Sequence, residues 1–100
     1  MIVSREDAVG LLRKWMIERV SVWVVGIAGA VTFSFASSIV ALTDDGWQMK
    51  DIEFVASFAP FEQFEYSDDR ELPAKVHGKV ISCLTMHSPS VDLYVSELSE

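Results

Sequence analysis

Residues 20–43 read VSVWVVGIAGAVTFSFASSIVALT, twenty-four positions without one charged side chain. That exceeds the roughly 20 apolar residues needed to cross a bilayer as a helix. Arg13, Lys14 and Arg19 precede the run and Asp44 and Asp45 follow it, an order that suits the positive-inside rule. One reading is therefore a single-pass membrane protein spanning at 20–43. The periodicity favours another. Val20, Val22 and Val24 alternate with Ser21 and Trp23, and Val31, Phe33 and Phe35 alternate with Thr32, Ser34 and Ala36. A period of two places alternate side chains on opposite faces of a strand. Val, Ile, Thr, Phe and Trp fill most of these positions and favour strands, whereas Leu42 is the only leucine in the run. Gly26 to Gly29 marks an expected turn, Ser37-Ser38 a break, and Asp45-Gly46 a hairpin turn. The run is read as three successive strands of a sheet, with no membrane span.

Working outward, residues 4–19 predict a helix. Ser4 is a good N-cap, and Glu6 and Asp7 fall in the first turn, where the helix dipole favours acids. Ala8, Val9, Leu11, Leu12, Trp15 and Met16 share one arc of the wheel, and Gly10, Arg13, Lys14 and Glu18 share the other. Downstream, residues 47–58 suggest a long strand with a bulge near Lys50-Asp51. Residues 61–66 suggest a short strand before a loop at Asp68-Asp69. Residues 75–87 and 90–98 suggest a final hairpin turning at Ser88-Pro89-Ser90. The expected fold is α+β in one domain over residues 1–100. An N-terminal amphipathic helix packs on a curved antiparallel sheet or small barrel of about six strands. A helix followed by a bent meander is similar in outline to Sm-like and other small SH3-type barrels, a likeness of element order that implies no activity.

Composition narrows the function. The formal charge is −7. Nine acids against two bases lie between Asp44 and Glu71, and the remainder of the chain is balanced. The eight bases are scattered, so the clustered Lys and Arg that neutralise phosphates are missing and nucleic-acid binding is not expected. No stretch has the pattern of a signal peptide, and the single Cys83 has no partner for an internal disulfide. A reducing, cytoplasmic setting is expected.

Chemistry is sparse. His77, Cys83 and His87 would share a strand face, but a rise of about 3.3 Å per residue puts the histidines roughly 33 Å apart and Cys83 about 13 Å from His87. Metal ligands and a Cys–His pair both need convergence, so no metal, cofactor or catalytic residue is assigned. Gly26-x-x-Gly29 lacks the rest of a nucleotide-binding fingerprint. Asp51 with Glu53 reads as a solvated strand edge. The expected role is a non-enzymatic association module, homo-oligomeric or bound to another protein. Phe58, Phe61, Phe64 and Tyr66 are its candidate partner-binding residues, since aromatics concentrate at interface centres. The alternative is a ligand-binding or enzymatic roll with a cavity between helix and sheet, lined by Trp15, Trp23 and Trp47.

Overall fold

The computed structural model describes residues 1–43, 45–50, 55–68 and 80–98. The chain forms β1 (Ile2–Val3), α1 (Arg5–Ile17), β2 (Ser21–Ala28), β3 (Val31–Leu42), β4 (Gly46–Met49), β5 (Val55–Ser57), β6 (Gln63–Asp68), β7 (Val80–His87) and β8 (Asp92–Leu98). All strand pairings are antiparallel, in the order β1-β6-β7-β8-β2-β3-β4-β5. The α+β class, the antiparallel sheet and the N-terminal helix are as the sequence indicates. The barrel is not: the sheet is open among the described residues, with β1 and β5 as its edges. Its strands number eight rather than about six, the first only two residues long.

The uncharged run is two strands, and no described helix is long and apolar enough to cross a membrane. Gly26 lies inside β2 rather than at a turn. The reversal comes three residues later, where Ala28 pairs with Val31 and Gly29 adopts φ +61. A two-residue hairpin loop needs such positive φ values, which glycine supplies without a Cβ clash. Gly26 serves a different purpose. Phe33 sits opposite it across the strand pair and lays its ring over the backbone, in the space a Cβ would occupy. The Phe33 and Phe35 rings then stack in parallel, their centroids 6.5 Å apart. Ser37-Ser38 interrupts nothing, because β3 continues to Leu42 and takes its irregularity between Ile39 and Ala41. A bulge of that kind leaves one residue unpaired and bends the strand. The single strand expected over 47–58 is two, β4 and β5, paired antiparallel, and Asp51 of the expected bulge lies outside the described residues.

α1 begins with a reciprocal cap. The Ser4 hydroxyl accepts from the Asp7 N–H at 3.0 Å, and the Asp7 carboxylate accepts from the Ser4 N–H at 3.4 Å. The helix ends at Glu18 with two further backbone bonds. Val20 N–H reaches the Trp15 carbonyl at 3.1 Å and Arg19 N–H the Met16 carbonyl at 3.2 Å. These bonds define a Schellman motif, which turns the chain directly into β2.

Ala8, Leu12 and Trp15 are the buried face of α1, and the helix packs against β3 and β6. Beneath it lie Val22 and Val24 of β2, Leu93 and Val95 of β8, Leu84 and Met86 of β7, and Phe64 of β6. Ile39, Trp47 and Met49 extend the core toward β4. Full burial of each Leu, Val or Met contributes about 1.5–3 kcal/mol. The Trp15 indole Nε1 is buried with no hydrogen-bond partner among the described residues.

Replacing Gly26 with Ala is expected to cost about 1–2 kcal/mol, because the new methyl must displace the Phe33 ring. In a Phe33→Ala background the same change should cost much less. Urea denaturation of the four proteins in that double-mutant cycle measures the coupling, and additivity would refute the ring-on-glycine contact.

Candidate functional site

The sheet has a covered face and an open one. Register fixes which residues point where, since paired residues share a face. Opposite the core, β2 presents Trp23, Val25 and Ile27, flanked by Tyr94 and Ser96 of β8 and by Thr32, Ser34 and Ala36 of β3. Cys83, Thr85 and His87 of β7 and Glu65 of β6 complete the surface. An antiparallel sheet with one wet face ordinarily alternates apolar-in with polar-out. β2 departs from that rule, being apolar on both faces. Trp23 and Ile27 are each 38% exposed on the open side.

One corner of the open face holds its acidic and basic side chains. His87 donates or accepts through Nδ1 with Asp92 Oδ1 at 3.0 Å and through Nε2 with Glu65 Oε2 at 2.6 Å. His87 and Asp92 face each other across the β7–β8 pair, and Glu65 reaches in from β6, so the imidazole ties three strands together. Partial burial of the ring opposes protonation and is the largest single influence. The hydrogen bonds to Glu65 and Asp92, joined by their charges, outweigh it and hold the pKa above its ordinary 6.5. Both ring nitrogens of the protonated form donate, which matches two carboxylate acceptors.

Sequence reasoning missed this cluster. The turn at Ser88-Pro89-Ser90 separates His87 from Asp92 by five positions, which would have made them cross-strand neighbours at once. Glu65 carried no comparable signal, since β6 ends at Asp68 and β7 begins at Val80, too far apart in the chain for a short turn to set their register. Cys83 lies on the same face, with its Sγ 3.9 Å from Thr85 Oγ1. His77 and the Asp51–Glu53 pair lie outside the described residues, which otherwise hold no cluster suited to a metal ion.

The aromatic candidates are distributed differently from expectation. Phe58, Phe61 and Phe64 are buried in the core, at 0%, 5% and 4% exposure. They therefore offer no apolar surface on this chain. Tyr66 is half-buried, and its backbone anchors the N-terminus: its N–H donates to the Met1 carbonyl at 2.8 Å and its carbonyl accepts from the terminal ammonium at 3.1 Å. Trp15 and Trp47 are core residues, whereas Trp23 stands on the open face, so the three do not line a common cavity. Trp47 borders a small depression of about 210 Å³ at the β3–β4 turn, with Ala41, Thr43 and Gln48. A larger cleft of about 440 Å³ lies between the C-terminal end of α1 and β3, bordered by Met16, Arg19, Ser38, Ile39, Val40 and Lys50. Compared with known proteins, the chain matches no family model, no curated protein and no solved structure.

The linkage for His87 has a definite sign. A folded pKa above 6.5 means that the protonated ring contributes stability in full below about pH 6.5, and that this is lost as pH rises through the folded pKa. Thermal stability should therefore fall as pH rises from about 6.5 through the raised folded pKa. His87→Gln should flatten that slope and lower stability by about 0.5–1 kcal/mol at low pH, as suits a partly exposed cluster. Melting curves across the range check it, and an unchanged slope in the variant would remove His87 as the cause.

Proposed function

We propose that the chain is an association module in which the open face of the sheet packs against the same face of a second copy. The observation that carries this reading is the outward apolar row Trp23, Val25 and Ile27 on β2, in the middle of the sheet. A strand apolar on both sides has the composition of one buried on both sides. Exposed apolar area gathered at one place is what marks an interaction surface, where scattered single residues do not.

Charge supports a second copy as the occupant. A chain of net charge −7 repels its own kind, so two copies meet most easily through a surface poor in charge. The outward positions of β6, β7, β8, β2 and the first half of β3 supply that surface. Among the described residues, Glu65, His87 and Asp92 are its only acidic or basic side chains, and the imidazole offsets part of the carboxylate charge. Two such faces would stack as a sandwich about 10 Å apart, with the Trp23 and Tyr94 rings supplying much of the contact. The arrangement is isologous and closes at two copies.

Sedimentation equilibrium of the full chain should give a dimer at high micromolar concentration. Val25→Glu should give a monomer with an unchanged circular dichroism spectrum, since the side chain points away from the core. A wild-type chain that stays monomeric, or a variant that remains dimeric, would overturn the reading.

A further inference from the structure

The cleft between the C-terminal end of α1 and β3 lies at the end of the sheet where Ser21 pairs with Ser38, beyond the row Trp23, Val25 and Ile27, and two observations bear on it. We infer that this cleft binds an amphipathic anion: a carboxylate or phosphate headgroup on an apolar chain of medium length, with the headgroup held by Arg19 and Lys50. Its volume of about 440 Å³ falls in the range of small-molecule sites, ordinarily 300–1,000 Å³. Met16, Ile39 and Val40 give an apolar wall, and Ser38, Arg19 and Lys50 supply the polar groups.

The charge at this place runs against the composition of the chain. Acids outnumber bases by 15 to 8 overall, yet the described lining holds two cations and no carboxylate. Neither cation is in an ion pair with a described residue, whereas His87 takes two carboxylates at the far corner of the sheet, on β6 and β8. Two cations on one cleft, neither paired with a described carboxylate, present a local field suited to an anion. The guanidinium adds geometry to charge, because its planar fork matches a carboxylate or phosphate with two parallel hydrogen bonds.

The backbone adds a second observation. Arg19 has φ +56 and is the only described non-glycine residue in the left-handed region. It occupies the position after the helix cap where a Schellman motif ordinarily has glycine, because a Cβ is unfavourable there. The fold would be relieved by glycine at this position and carries arginine instead. Strain of this sort is found where a side chain is needed for its chemistry. The helix end itself does not attract an anion, since the C-terminal pole of the dipole is negative. Its carbonyls are partly spoken for: those of Lys14, Trp15 and Met16 accept from Glu18, Val20 and Arg19. The attraction must therefore come from the two cations, which makes their removal decisive.

Isothermal titration of the full chain with octanoate and with octyl phosphate, below their micelle concentrations, tests the inference, with octanol as the uncharged control. Binding of either anion, weakening with added salt and at least about tenfold tighter than octanol, is the expected result. A preference between the two identifies the headgroup. Arg19→Gly should abolish binding while raising the melting temperature by about 2–5 °C, because the left-handed residue is relieved. Should that variant lose binding but also melt lower, Lys50→Gln decides: loss of binding upholds the cleft, and retention overturns it. Equal binding of octanol, no binding of either anion, or full binding by Arg19→Gly would each overturn it.

Discussion

β2 is paired along most of its length with β3 on one side and β8 on the other, and the rest of the sheet is ordered from it. A slip of one residue in its register would exchange Val22, Val24 and Gly26 with Trp23, Val25 and Ile27. In most half-buried strands hydrophobicity forbids such a slip, because it would bury the polar face. Here both faces are apolar, so hydrophobicity alone leaves the register undecided. Three local devices settle it. The Schellman turn holds Val20 to Trp15 and fixes where the strand starts. Gly29, at φ +61, fixes where it reverses. Between them, the Phe33 ring fits only over a residue without a side chain, which places Gly26 inward. The core under α1 follows from these three constraints.

That same two-sidedness governs how much of the fold could be read in advance. Alternation in residues 20–36 separated strand from membrane helix, because period-two spacing and β-branched composition agreed. The Ser4 cap and the 8, 12, 15 spacing of α1 were legible for a similar reason: each rests on neighbours close in the chain. The glycines were the ambiguous signal. Gly26 and Gly29 both read as turn residues, and only the ring across the strand pair shows that one of them receives a side chain and the other turns the backbone. Ser37-Ser38 looked like a break because two small polar residues interrupt an apolar run. In the sheet they are ordinary strand positions, and the Ser37 hydroxyl donates to the Lys50 carbonyl at 2.8 Å. β1 was unreadable, since two residues have no period, and its pairing with β6 crosses more than sixty positions of chain.

The functional surfaces divide along the same line. Phe58, Phe61 and Phe64 drew attention as a concentration of aromatics, but concentration in sequence does not distinguish core from surface. Ring burial is decided by the return of β6 against β1 and β7, a long-range event. The reverse holds for Trp23, Val25 and Ile27: apolar residues on both sides of a strand suggest burial on both, and the sheet leaves one side open. His87 was weighed only against residues on its own strand. Its actual partners stand on the two adjacent strands, one of them just across a turn that was already recognised. The lesson is geometric. Chemistry on a sheet runs across strands, where paired residues stand side by side, whereas same-face residues along one strand lie two positions apart.

Two groups of charges stand apart on the fold. Glu65 and Asp92 flank His87 on the open face, whereas Arg13, Lys14 and Arg19 accompany the exposed side and end of α1, with Lys50 beside them at the cleft. Along α1 the arrangement follows the dipole, with Glu6 and Asp7 in the first turn and Lys14 in the last. Arg19 extends that basic end one residue past the cap, into a conformation that favours glycine. Dipole compensation does not require that step, because Lys14 already supplies it without strain. What Arg19 adds is position: just past the cap it borders the same cleft as Lys50, with Ser38, Ile39 and Val40 of β3. β3 contributes to both surfaces: Thr32, Ser34 and Ala36 lie on the open face, and Ser38, Ile39 and Val40 border the cleft farther along the same strand. The two surfaces therefore meet on one strand, where the row of outward side chains ends and the irregularity between Ile39 and Ala41 begins.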